Sequence, residues 1–144
     1  MGASSPADRL LDRETELGAI AAAIKLACSG SGSALLVEGE AGIGKSALVA
    51  HACGLAAQAG MTVLAARVAE FEDGYAWGVV RQLFEGQADG RQGDGAVALA
   101  APALTHGAPP GEEDPFAVLH GLYWLTASLA RTAPLLLAVD GGVQ

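Results

Sequence analysis

The run Gly39-Glu40-Ala41-Gly42-Ile43-Gly44-Lys45-Ser46 constrains this chain more than any other feature, because it follows the pattern G-x-x-x-x-G-K-[ST]. The pattern carries its own mechanism. Its glycines let backbone N–H groups point inward and cradle phosphates, the lysine reaches the β/γ-phosphates, and the hydroxyl ligates Mg²⁺. Gly39, Glu40, Ala41, Gly42, Ile43, Gly44, Lys45 and Ser46 are therefore candidate nucleotide-binding residues. Such a loop must follow a strand and open a helix, whose N-terminus favours bound anions.

The flanks predict both elements. Ala34-Leu35-Leu36-Val37 is a short apolar run set off by Ser29-Gly30-Ser31-Gly32-Ser33, and it reads as a buried strand of a parallel sheet. After Lys45, Leu48, Ala52, Leu55, Ala56 and Ala59 fall at helical spacing, with Gly60 as the stop. A glycine-rich turn that matches by chance is the alternative, and the strand–loop–helix context argues against it.

Further along, strands and helices alternate. A helix is predicted from near Asp12, with Glu14 and Glu16 in its first turn and an apolar stripe of Leu17, Ile20, Ala21, Ile24 and Ala27. Thr62–Val68 reads as a second strand. Trp77, Val79, Val80, Leu83 and Phe84 suggest a short helix, Gly86–Gly95 a loop, and Ala96–Leu104 a weak helix. Asp114 caps a helix whose first position is Pro115, and Ala133-Pro134 ends it. Leu135-Leu136-Leu137-Ala138-Val139 is a third buried strand, closing on Asp140. Alternation of this kind indicates parallel βαβ units, whose ligands bind at the carboxyl ends of the strands. The fold class is α/β: a P-loop NTPase of three αβα layers around a parallel sheet. The sheet is incomplete, with about three strands of the usual five.

Asp140 is the expected partner of the phosphate loop. A carboxylate ending an apolar strand can hold Mg²⁺ beside the loop serine, so Ser46 and Asp140 are the candidate metal ligands. A polar residue that merely ends a buried strand is the alternative.

Composition narrows the rest. A net charge of −8 over 144 residues, with Lys and Arg scattered singly, argues against direct nucleic-acid binding by this segment. No apolar run approaches the about 18 residues of a membrane span, and no signal peptide is visible, so a cytoplasmic location without membrane contact is expected. Cys28 and Cys53 lack metal-ligand spacing and read as buried small apolar residues. His51, His106 and His120 have no metal spacing and no nucleophile recognisably paired with them. The pair Tyr123-Trp124 reads as core, or as a face left exposed for a partner.

Several segments together resemble the N-terminal part of a STAND-class ATPase domain. The similarity is to that of the large ATP-binding LuxR-family bacterial transcriptional regulators, which are related to AAA modules of the origin-recognition type. Leu11-Asp12-Arg13-Glu14-Thr15-Glu16-Leu17 is similar to the family's opening box L-x-G-R-E-x-E-L, with Asp12 in place of glycine. Val37–Ser46 resembles its phosphate loop, and Pro134–Asp140 its Mg²⁺-binding strand. Val79-Val80-Arg81-Gln82-Leu83-Phe84-Glu85 and Leu119-His120-Gly121-Leu122-Tyr123-Trp124-Leu125 resemble recurring segments of it. The resemblance implies ATP and Mg²⁺ as cofactors. It makes Leu11 and Arg13 candidate adenine contacts, although the same residues also suit an ordinary helix start. It divides the chain into a disordered tail over 1–9 and the N-terminal portion of the ATPase domain over 10–144.

The departures from the family matter as much. Hydrolysing P-loop ATPases often carry a second acid directly after the strand-ending Asp, where this chain has Gly141 and Gly142. Later strands, a lid and a helix-turn-helix would follow in the family, so a truncated product or excised fragment is expected. The primary expectation is an ATP/Mg-binding module of a transcriptional regulator, weak or inactive in hydrolysis. A competent ATPase would need an acid the sequence does not show, and a phosphotransferase would need arginines beyond the third strand. A remnant would expose an unpaired sheet edge, which favours self-association or capture of a missing C-terminal half.

Overall fold

In a computed structural model, the described residues are 13–68, 77–87, 95–105 and 114–141. They form, in order, α1 (Glu14–Cys28), α2 (Lys45–Gln58), β1 (Thr62–Arg67), α3 (Gly78–Phe84), α4 (Gly95–Leu104), α5 (Pro115–Thr132) and β2 (Leu135–Asp140).

The two strands pair in parallel, from Thr62 opposite Leu135 to Arg67 opposite Asp140. The ladder runs on at both ends, where Thr62 N–H donates to the Pro134 carbonyl (2.8 Å) and Val68 N–H to that of Asp140 (2.9 Å). Side chains alternate across a strand, so the sheet has two faces to cover. Leu64 and Ala66 face a core built with Leu83 and Phe84 of α3, Ala100 and Ala103 of α4, and the buried stripe of α5. That stripe is Val118, Leu122, Leu125 and Leu129, at the spacing of one helix face. Helix α2 packs across both strands, burying Leu48 and Ala56, and α1 lies against α2 through Ile20. Two helical layers around a parallel sheet are the expected α/β arrangement.

Local signals explain most of the element ends. Asp114 accepts a hydrogen bond from Phe116 N–H (3.0 Å), with Pro115 at the first helical position of α5. Helices α1 and α2 close with the same paired bonds. Gly30 N–H donates to Ala27 and Ser31 N–H to Leu26, just as Gly60 donates to Ala57 and Met61 to Ala56. The N-cap of α1 is Arg13, without a side-chain capping bond, while Asp12 lies outside the described residues.

Two expectations are corrected, and one pair of alternatives is decided. Ala34–Val37 is not a strand. It is irregular, and Leu35 and Leu36 are 53% and 83% exposed. A strand needs a neighbour to take its backbone hydrogen bonds. Among the described residues β1 and β2 pair only with each other, so the sheet has two strands and not three. Neither cysteine is buried: Cys28 is exposed and Cys53 partly so. Of the two readings of Tyr123 and Trp124, the exposed face is the one found: they stack edge to face on the side of α5 that also exposes Phe116 and Leu119. Trp124 Nε1–H donates to His120 Nε2 (3.1 Å), giving that histidine a structural partner. His51 is half-buried in α2, and His106 lies outside the described residues.

Helices α4 and α5 cross closely. An added Cβ at Gly121 would sit 2.5 Å from the Ala100 nitrogen and 2.8 Å from the Ala96 oxygen, so only glycine fits this contact. Trp77, just before α3, holds φ at +72° and packs half-buried against the same core.

Candidate phosphate-binding site

The phosphate loop joins the irregular segment to α2. Ile43 N–H turns back to the Glu40 carbonyl (3.3 Å), and α2 starts with Leu48 N–H donating to Gly44 (3.1 Å). Gly42 and Gly44 have φ of +80° and +96°, in the left-handed region where a side chain is strained. Gly44 is the N-cap of α2 and provides no side-chain acceptor, so the first-turn N–H groups lack the usual cap. An uncapped helix start, reached through left-handed glycines, is a site for an anion.

Two cations flank this start. Lys45 Nζ folds back onto the carbonyls of Gly39 (2.6 Å) and Glu40 (2.9 Å). The Arg13 guanidinium donates to the Ile43 carbonyl, tying the beginning of α1 to the loop. It also lies 3.7 Å from the position a Cβ would take on Gly44. The loop is tight at its entrance, where a Cβ on Gly39 would come within 3.0 Å of the Ile43 side chain. Leu11, the other candidate from the opening box, lies outside the described residues.

Ser46 is exposed in the first turn of α2, and Asp140 ends β2, against which α2 packs. Among the described residues, no hydrogen bond joins Asp140 to the loop. Its carboxylate instead meets Arg67, with Nη2 to Oδ2 at 3.4 Å. The sequence reading left Arg67 unassigned, although a signal was present: β1 ends in a cation where β2 ends in an anion, at matched register positions.

The donor set fits a nucleotide with Mg²⁺. Backbone amides at an uncapped helix start, Lys45 and Arg13 suit an anionic phosphate chain. A hydroxyl and a carboxylate are hard oxygen ligands. Mg²⁺ is typically held by one or two protein groups, with phosphates and water completing its shell. Among the described residues, no group of three or more His, Cys, Asp or Glu is placed to hold a metal ion. No described helix is long and apolar enough to cross a membrane.

The sequence model of one family, the AAA ATPase domain, matches residues 9–142, nearly the whole chain. No curated protein and no solved structure matches.

Proposed function

The chain belongs to the AAA ATPase domain family, and from that premise we propose that it is a Mg·ATP-binding module of a transcriptional regulator of the LuxR-family type. AAA domains are P-loop NTPases that generally bind ATP with Mg²⁺. The observation that carries the assignment to particular residues is the loop itself, with two left-handed glycines delivering an uncapped α2 and Lys45 beside it.

In this reading the N–H groups of Gly42–Ser46 hold the phosphates. Lys45 exchanges its hydrogen bonds to Gly39 and Glu40 for phosphate oxygens. Ser46 and Asp140 offer oxygen to Mg²⁺. Arg13, anchored to Ile43, stands at the side of the loop toward α1, and the resemblance of the opening box makes Leu11 and Arg13 the candidate adenine contacts. The regulator context rests on the resemblance of the opening box and of Val79–Glu85 and Leu119–Leu125. Hydrolysis is weak, because Gly141 follows Asp140 where a second acid would polarise the attacking water.

Lys45→Ala removes the charged donor without touching the glycines. Charge-assisted hydrogen bonds contribute about 1.5–3 kcal/mol, so ATP affinity measured by calorimetry should fall roughly 10- to 150-fold. A Lys45→Ala chain that binds ATP as the parent does would sink the assignment. Steady phosphate release by the parent, abolished in Asp140→Asn, would overturn the claim of weak hydrolysis.

A further inference from the structure

We infer that Arg67 is a competing counter-ion for Asp140, and that it sets how much Mg²⁺ the site needs. The inference rests on the proposal that Asp140 offers a ligand to Mg²⁺. Parallel register brings the two residues to the same level at the carboxyl ends of adjacent strands. The Arg67 guanidinium stands 3.4 Å from Asp140 Oδ2. Its backbone is held there independently of the ion pair, because Arg67 N–H donates to Gln82 Oε1 of α3 (3.0 Å).

The two partners differ in exposure. The Asp140 side chain is 14% exposed and the Arg67 side chain 75%. The carboxylate is therefore fixed within the sheet end, whereas the guanidinium reaches it from solvent on a flexible stem. A carboxylate in this position already has a cation, and Arg67 must yield or share Oδ2 when a divalent ion binds. An exposed arginine yields at small cost, since ion pairs of this kind are weak. The pair thus keeps Asp140 neutralised without Mg²⁺ and lowers the affinity for Mg²⁺ modestly.

The test is the Mg²⁺ concentration that half-saturates the tightening of nucleotide binding, read with a fluorescent ATP derivative at fixed concentration. Arg67→Ala should lower that midpoint roughly two- to fivefold, the range an exposed ion pair spans. Affinity for the nucleotide in EDTA should not rise, because the variant leaves Asp140 without its counter-ion beside the phosphates. Arg67→Lys, which keeps the charge, should stay near the parent. In an Asp140→Asn background, Arg67→Ala should produce no further shift. A midpoint in Arg67→Ala that is equal to or higher than the parent's overturns the inference, as does an equal shift in the Asp140→Asn background. A parent chain that binds no nucleotide, or binds it indifferently to Mg²⁺, overturns both the site assignment and the inference built on it.

Discussion

Replacing Gly121 by alanine should destabilise the protein, although the same change in most helices does the opposite. In a helix interior alanine is favoured over glycine by about 0.5–1 kcal/mol, because glycine loses more conformational freedom on folding. At position 121 the new methyl would lie 2.5 Å from the Ala100 nitrogen and 2.8 Å from both the Ala96 oxygen and the Leu99 carbonyl carbon. Non-bonded heavy atoms touch at about 3.5 Å, so the helices must separate by nearly an ångström. The atoms in the way are backbone atoms of α4, and no rotamer change removes them. Separation would also loosen Val118, Leu125, Ala100 and Ala103, which are at most 2% exposed. Overpacking of this kind costs about 1–3 kcal/mol. After the propensity gain, a net loss of about 0.5–2 kcal/mol remains, or a Tm lower by roughly 2–7 °C. Gly54→Ala in α2 is the matched control, since nothing lies within 4 Å of its added Cβ. It should raise Tm by a few degrees, in line with a propensity gain of about 1 kcal/mol. Scanning calorimetry of both variants decides the matter. A Gly121→Ala chain that melts at or above the parent, alongside a stabilised Gly54→Ala, would refute the close α4–α5 crossing.

Two further outcomes follow from local geometry. Asp114→Ala removes the cap on Phe116 N–H and should cost about 1 kcal/mol, seen as a lower denaturation midpoint at unchanged slope. Burial pushes the Cys53 thiol above its ordinary pKa, while Cys28 is exposed. Timed alkylation at pH 8 with mass spectrometry should therefore label Cys28 first, and prior labelling of Cys53 would contradict its placement in α2.

Where information is local, the sequence was readable. Asp114 followed by Pro115 announces the start of α5, and Gly60 announces the end of α2. The strand Leu135–Asp140 stands out between Pro134 and its terminal carboxylate. The left-handed turns at Gly42 and Gly44 were readable because such backbone needs glycine. What failed was non-local. An apolar run such as Ala34–Val37 becomes a strand only if another strand lies beside it, and no property of the run reveals that. The Arg67–Asp140 pair joins residues 73 apart in sequence, through a register that only the sheet defines. Gly121 looks like a weakness in a helix until α4 is placed against it. The exposure of Tyr123 and Trp124 was undecidable for a related reason. Helix α5 carries apolar residues on two faces, and only packing shows which face α4 takes.

The parallel register also bears on the timing of synthesis. Arg67 meets Asp140 after 73 intervening steps of the chain. At about 5–20 residues per second, roughly 4–15 s separate the emergence of the two strands from a ribosome. During that interval β1 has the backing of α2 but lacks its ladder partner, and its backbone donors and acceptors on that side stay in water. The α4–α5 pair, whose members are neighbours in sequence, has no such wait. Nascent chains are thus most exposed to wrong strand pairing between the making of Arg67 and the making of Leu135. A pause or a slow codon in that window lengthens the exposure of β1 without altering one contact of the finished fold.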